Sequence, residues 1–386
     1  MISYSIPADF NLESVKLLAE MNKKYQDVRV AEVYGQMTLN NRWGSGRTAK
    51  ELNDTGLIDL EKYISSLYDA GIDFNYTLNG TCMGNYEFTE EGIKELQLFL
   101  RDLYALGVHK LTIALPSIIE IVNRMPYEFE VKASTLCQIT SVNKAMHYIN
   151  LGVRRMVVDE SCNRKFFLLK RLSEIVGNGL EVIVNAVCNI NCPYRMFHYN
   201  EMSHNIKGND NIVAADFYSH RCIEKRMEEP ENFLRMGWIR PEDIHYYTNI
   251  GISRFKIQGR QAVSRGNIYK TLEAYFSQNY SGNLLELLDV FAPTNTFMPY
   301  IENKVLDDYL KPFVSNPNHC NNDCNECGYC SAYVSKYLNR EAINGLCTKG
   351  MDFYSNRDLF RKIAQNSIDD DFSEEEFFND EFNFSV

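Results

Sequence analysis

Five times in this chain a stretch of helical period ends on glycine, an apolar residue follows, and a β-branched or aromatic run begins. The junctions are Gly71-Ile72, Gly107-Val108, Gly152-Val153, Gly179-Leu180 and Gly251-Ile252. Glycine takes the left-handed position past a helix C-terminus without a Cβ penalty, and the next apolar side chain packs back on the helix. The recurrence therefore marks repeated helix-to-strand units. Eight strands are predicted: Ser3 to Ile6, Val28 to Tyr34, Phe74 to Leu78, Lys110 to Leu115, Phe129 to Ser134, Arg155 to Val158, Val182 to Val187 and Arg254 to Ile257. Amphipathic stretches such as Leu12 to Lys24, Leu57 to Ala70, Glu90 to Leu106, Val142 to Asn150 and Lys165 to Val176 supply the crossovers. Eight strands with helical crossovers in roughly 270 residues predict an α/β protein with one closed (β/α)8 TIM-like barrel. A doubly wound open sheet is the competing arrangement.

The barrel is assigned residues 1–280, with an excursion at 188–251; Asn267 to Ser277 reads as the closing helix. Residues 281–350 form a Cys-rich metal-binding appendix, and 351–386 a helix and an acidic disordered tail carrying Phe372, Phe377 and Phe378. The chain of 386 residues has a formal net charge of -11, but residues 369–386 hold eight acids and no base, so the remainder is close to neutral. That balance argues against a duplex DNA surface while leaving room for a local RNA channel. No apolar run reaches ~18 residues, so no membrane span is expected. Met1 to Pro7 lacks the basic start of a signal peptide, and a cytoplasmic location is expected.

In such a barrel the catalytic face is built from the C-terminal ends of the strands. Those ends supply Glu32, Tyr34, Asp159 and, from the excursion, His198 as candidates for proton transfer. Arg47, Arg195 and Arg260 are candidates to clamp an anionic substrate, because a guanidinium grips a carboxylate with two parallel hydrogen bonds. An ion pair between Glu32 and Arg260 across the barrel end is the structural alternative. Asn75 and Asn185 sit in otherwise apolar strands, where an unpaired amide costs roughly 1–3 kcal/mol, so both need partners.

Eleven cysteines in a chain with no sign of export point to metal chemistry. Cys320, Cys324, Cys327 and Cys330 fall in one short loop, the kind of spacing that wraps thiolates around a [4Fe-4S] cluster; Cys347 could replace one of them. Structural zinc is the competing reading for this group. Cys188 and Cys192 lie at the barrel mouth, with Cys222 and Cys82 the best further ligands and Cys137 also in reach. One or two clusters are therefore expected. Cys162 reads as a core residue. The Cys-x-x-x-Cys-x-x-Cys loop of radical S-adenosylmethionine enzymes is matched only at 320–327, after the barrel rather than after its first strand.

These residues resemble the collagenase-like peptidase family U32, including its iron-sulfur members related to oxygen-independent ubiquinone synthesis and to tRNA or rRNA hydroxylation. The similar features, in order, are Glu32-Val33-Tyr34-Gly35 with Gly44, Gly46 and Arg47, then Ser134-Thr135, the Cys188 and Cys192 loop, Cys222, and Phe255-Lys256-Ile257 with Gly259-Arg260. They span about residues 1–280. The chain is read as a divergent member, because the family's Gly- and Ser-rich cysteine signature is missing and the C-terminal cysteines lie outside its usual ligand set. The resemblance implies a four-Cys [4Fe-4S] cluster near the active face, prephenate as oxygen source in hydroxylating members, and a redox partner or paired family member. An iron-sulfur redox enzyme modifying a small molecule or RNA is the leading expectation. A peptidase is the first alternative, although neither a Gly-x-Ser-x-Gly elbow nor a His-Glu-x-x-His helix is present, and His198 with His204 are the only spaced histidine pair near Glu201. A non-catalytic, metal-stabilised accessory protein is the second. Alanine at Glu32 and Arg260, set against truncation after Ile368, separates enzyme from scaffold.

Overall fold

A computed structural model describes residues 1–39, 41–47, 52–204, 217–260, 263, 267–288 and 297–369. Eight parallel strands close in sequence order into a barrel. They are β1 (Ile2–Pro7), β2 (Val28–Gly35), β3 (Asp73–Leu78), β4 (Lys110–Ile113), β5 (Glu130–Ala133), β6 (Arg155–Val157), β7 (Leu180–Ile183) and β8 (Arg254–Lys256). Pairing of β1 with β8, Ser3 opposite Arg254, shuts the ring. The open sheet is thereby excluded.

Four of the five glycine junctions adopt the expected geometry. Gly71, Gly107, Gly152 and Gly251 have φ of 69°, 89°, 88° and 89°. At each, two backbone N–H groups turn back to the last helical carbonyls; at the first, Gly71 N–H donates to Tyr68 and Ile72 N–H to Leu67. Gly179 differs. The left-handed residue there is Gly177, with φ of 62°, while Gly179 is required by close packing, since a Cβ would stand 2.3 Å from the Arg154 carbonyl oxygen. The strand expected over Val182 to Val187 instead runs Leu180–Ile183; beyond it Val184 N–H still donates to the Lys256 carbonyl, while its own carbonyl accepts from Ile239 of the excursion. The segment after β4 carries a further helix, Pro116–Asn123, which Pro116 opens.

A TIM barrel is normally filled by Val, Ile and Leu. Here the lower interior is a polar plug. Glu32 of β2 and Glu181 of β7 share Lys132 of β5 and Arg155 of β6: Lys132 pairs with both, at 3.0 Å to Glu181, and Arg155 reaches Glu32 at 2.6 Å and Glu181 at 3.2 Å. Ser5 donates to both carboxylates, and Asn75 donates to Glu32 while accepting from Thr112. Arg155 also reaches the part-exposed Glu130 at 3.1 Å, so the buried carboxylates Glu32 and Glu181 are both paired, which is what buried charge requires.

Among the described residues, those beyond the barrel do not form a separate core. Leu284, Leu285, Ile301, Leu306, Tyr309, Leu310 and Phe313 join the apolar cluster that contains the barrel. Arg240 fastens them: its buried guanidinium pairs with Asp243 and reaches Asp307 and the Asn303 carbonyl. The terminal helices run Arg340–Ser355 and Leu359–Asp369. The acidic tail with Phe372, Phe377 and Phe378 lies outside the described residues. Among the described residues no helix is long and apolar enough to cross a membrane.

Candidate functional site

Above the plug, the C-terminal strand ends enclose a small cavity of ≈ 50 Å³, bordered by Tyr34, Arg47, Thr77, Asn79, Thr112, Ser134, Lys256, Gln258 and Arg260. The glycines of the loop after β2 let it approach. Gly46 donates its N–H to Asn79, and a Cβ on it would strike Leu136 at 2.5 Å; a Cβ on Gly44 would meet the Ser203 carbonyl oxygen at 2.4 Å. The roof comes from the excursion. Its helix Arg195–His204 is tied to the loop after β3 by Thr81, which bonds Asn200 and Ser203, and it packs Tyr199 and Met202 on Ala114 and Leu136. The helix of this long insertion thus lies over the mouth.

Positive charge predominates there. Arg260 is buried, and among the described residues its partners are neutral: Gln36 Oε1 at 3.2 Å and Ser45 Oγ at 3.3 Å. Burial, with Arg47 nearby, lowers its pKa to about 10. Lys256 lies with its ammonium 3.1 Å from the centroid of the Tyr34 ring. Burial lowers its pKa to about 7, aided by Lys132 and Arg260 against the opposing pull of Glu181 and Glu32. Arg47 also lines the cavity and donates to the Gly46 carbonyl.

The sequence candidates divide. Arg47, Arg260 and Tyr34 do meet at the mouth. Tyr34 is not poised for proton transfer, because burial pushes its pKa up and its hydroxyl donates to the Ile257 carbonyl. Glu32 lies below, in the plug, and pairs with Lys132 and Arg155 rather than with Arg260. Those cations hold its carboxyl well below the usual range against strong desolvation, so it is a poor proton carrier. Asp159 and Arg195 are spent on each other: Arg195 spans Asp159 at 3.0 Å and Glu160 at 3.1 Å. Asn185 is structural, bridging the ends of β7 and β8 through the Gln258 backbone.

His198 is half-buried, its ring stacked between Tyr199 and Tyr218. Burial lowers its pKa to about 4. A histidine kept neutral in the fold takes up its proton on unfolding between pH 6.5 and 4, so it weakens the fold as pH drops through that window. His198→Phe is expected to make the acid loss of stability shallower, by up to about 3 kcal/mol at pH 4, as read by urea unfolding across pH.

All eleven cysteines are free thiols. Cys320, Cys324, Cys327 and Cys330 border one cavity of ≈ 650 Å³, whose opposite wall includes Asn189 to Asn191 of the Cys188-Cys192 loop. Cys324 and Cys327 fall on a single helical turn, capped by Asp323. Cys330 is anchored at 3.2 Å to the Tyr309 hydroxyl. At the mouth, Cys222 lies close enough to Cys188 and Cys192 to oppose their ionisation, and burial is the largest cause raising both pKa values. Cys82 rides on the loop pinned by Thr81, and no hydrogen bond joins its thiol to the others among the described residues. Cys137 and Cys162 are core residues, and Cys347 is buried in the helix Arg340–Ser355 and does not line the four-cysteine cavity. Among the described residues no three His, Cys, Asp or Glu side chains close around one point as ligands of a single ion do, the His198 and His204 pair included.

Lys132, Glu181 and Lys256 were not singled out from sequence as functional. Their signal is a lone charge flanked by apolar neighbours in a strand buried on both faces, as in Val131-Lys132-Ala133, Leu180-Glu181-Val182 and Phe255-Lys256-Ile257.

Residues 59–185 match Peptidase family U32. An uncharacterized protease of Methanocaldococcus jannaschii is 30% identical over 346 residues, covering 88% of this chain and 99% of the relative. Among solved structures, a U32 peptidase is 17% identical with a TM-score of 0.48, over 67% of this chain and 94% of that one. A D-psicose 3-epimerase is 10% identical with a TM-score of 0.37, over 72% and 96%.

Proposed function

Because the chain belongs to peptidase family U32, we propose that it is an iron-sulfur redox enzyme that modifies an anionic small molecule or RNA group at the barrel mouth. Oxygen-independent hydroxylation is the reaction class that the resemblance implies. The observation that carries this reading is the convergence of four free thiols, Cys320, Cys324, Cys327 and Cys330, on one cavity that also meets the Cys188-Cys192 loop. Thiolates around an iron-sulfur cube stand farther apart than ligands of a single ion, which suits thiols that share a cavity without touching. For Cys188, Cys192 and Cys222 the fit is less complete, since Cys82 is not joined to them. A bound cluster supplies one-electron transfer, its potential set by surrounding hydrogen bonds and exposure.

The chain's own groups supply the rest. Arg260 and Arg47 offer guanidinium donors to a carboxylate or phosphate. The helix Arg195–His204 excludes water above them, which strengthens every polar contact below. The hydrolytic reading draws on the peptidase name of the family and needs an activated nucleophile. Ser134 is one of several hydroxyls in the cavity, and it accepts from Asn79 and from the Leu136 N–H.

Purification without oxygen, with iron, acid-labile sulfide and zinc measured per chain beside the visible spectrum, tests the proposal. About four irons per cluster with matching sulfide are expected. Cys327→Ala should remove the iron held by the C-terminal group, and Cys188→Ala that of a second site. Zinc without sulfide, or neither metal, overturns the redox reading and favours hydrolysis.

A further inference from the structure

Lys256 ends β8 at the floor of the mouth cavity, where its amino group meets the Tyr34 ring and forms no hydrogen bond or salt bridge among the described residues. The arrangement below explains why. Glu32 and Glu181, the two carboxylates near it, are already taken by Lys132 and Arg155. Arg155 also serves Glu130, and no carboxylate among the described residues pairs with Lys256, which stands as a cation in a desolvated place. Arg260, the next cation up, has only neutral partners among the described residues. The Thr77 hydroxyl, on the cavity wall, is buried with no partner. Among the described residues, an unpaired amine, an arginine without a carboxylate and an unsatisfied hydroxyl around one small cavity describe a site that lacks its ligand.

We propose that Lys256 is a nucleophilic lysine that forms an imine with the carbonyl carbon of a small oxo acid whose carboxylate pairs with Arg260. The nitrogen lone pair attacks the carbonyl carbon, the carbonyl π pair moves to oxygen, and the oxygen takes a proton to give a carbinolamine. Loss of that oxygen as water, with the two amine protons accounted for in it, leaves the C=N bond; no oxidant or reductant is needed. The amine must be neutral to attack, and a pKa near 7 leaves about half of it neutral at neutral pH. The charged and titratable groups that face it are Glu32, Glu181, Lys132, Arg260 and Tyr34. The small cavity suits an acid of a few heavy atoms.

The test uses the full chain as purified, with pyruvate as probe and acetone as its neutral counterpart. Each is added at pH 7, trapped with borohydride, and located by peptide mass mapping. Lys256 is expected to carry the reduced pyruvate adduct at about ten times the occupancy of any other lysine, and acetone is expected to label it about tenfold less. A charge-assisted hydrogen bond is worth that ratio or more. Arg260→Gln should erase the preference for the acid, and Lys256→Arg, checked for folding by circular dichroism, should abolish the adduct. Labels spread over exposed lysines with Lys256 unmodified overturn the proposal, as does equal labelling of Lys256 by pyruvate and acetone. The wild-type mapping decides even if a variant misfolds. The inference does not rest on the cysteine site, so metal content and imine trapping fail or succeed separately.

Discussion

Lys132→Met is expected to lower the free energy of unfolding by about 3–5 kcal/mol, because it leaves buried carboxylates without their shared cation. Lys132 is fully buried, as are Glu32 and Glu181, so water cannot enter to compensate. Arg155 remains, but one guanidinium then faces three carboxylates, Glu32, Glu181 and Glu130. Urea unfolding at pH 7, followed by circular dichroism, reads the effect. The double variant Glu32→Gln with Lys132→Met should recover much of the loss, since removing both partners of a buried pair costs far less than removing one. The pH dependence follows in sign. Both carboxyls have folded pKa values below the ordinary 4.5, so the plug contributes full stability above that pH and loses it as pH falls through the lowered values. If Lys132→Met unfolds at the same urea concentration as the wild type, the plug is not what holds the ring closed.

Arg240→Met is expected to cost a comparable amount, again about 3–5 kcal/mol, for a related reason. Arg240 is 1% exposed and holds Asp243 through two hydrogen bonds, at 2.8 and 2.9 Å. Its third nitrogen serves the Asn303 carbonyl and Asp307, which belong to the segment packed on the barrel. The substitution orphans the buried Asp243 carboxylate and loosens that segment at once. Since the same segment leads into Cys320, loss of retained iron after gel filtration should accompany the loss of stability. Unchanged stability with unchanged metal would mean that apolar packing alone holds the segment in place. Asp307→Asn is the milder control, because Asp307 is largely exposed and a surface pair contributes little.

Much of the fold was legible because its signals are local. Each Gly-apolar junction encodes a helix stop within a few residues, and each strand announces itself by β-branched and aromatic neighbours. The failures have the same origin. Gly179 carries the sequence mark of a stop, yet its need is tertiary, set by the Arg154 backbone against it. Val184 to Val187 have strand character, but strand length in a barrel depends on the neighbour, and β8 ends at Lys256.

The site was legible only in part. Arg47 and Arg260 could be placed at the mouth from their position after strands, and the cysteine spacing pointed to one cavity wall. Glu32 also follows the rule for a strand-end residue, but a strand alternates its faces, and only ring closure shows that Glu32 points inward and meets residues 100 and 123 positions away. Arg195 looked free for a substrate until the excursion folded back and put Asp159 and Glu160 against it. The sequence by itself thus determined the eight strand-helix units, their order and the family, because each is written in neighbouring residues. Which charges cancel and which, like Lys256, remain without a partner was decided by tertiary structure alone, because the energy of a buried charge depends on groups that only the closed barrel brings together.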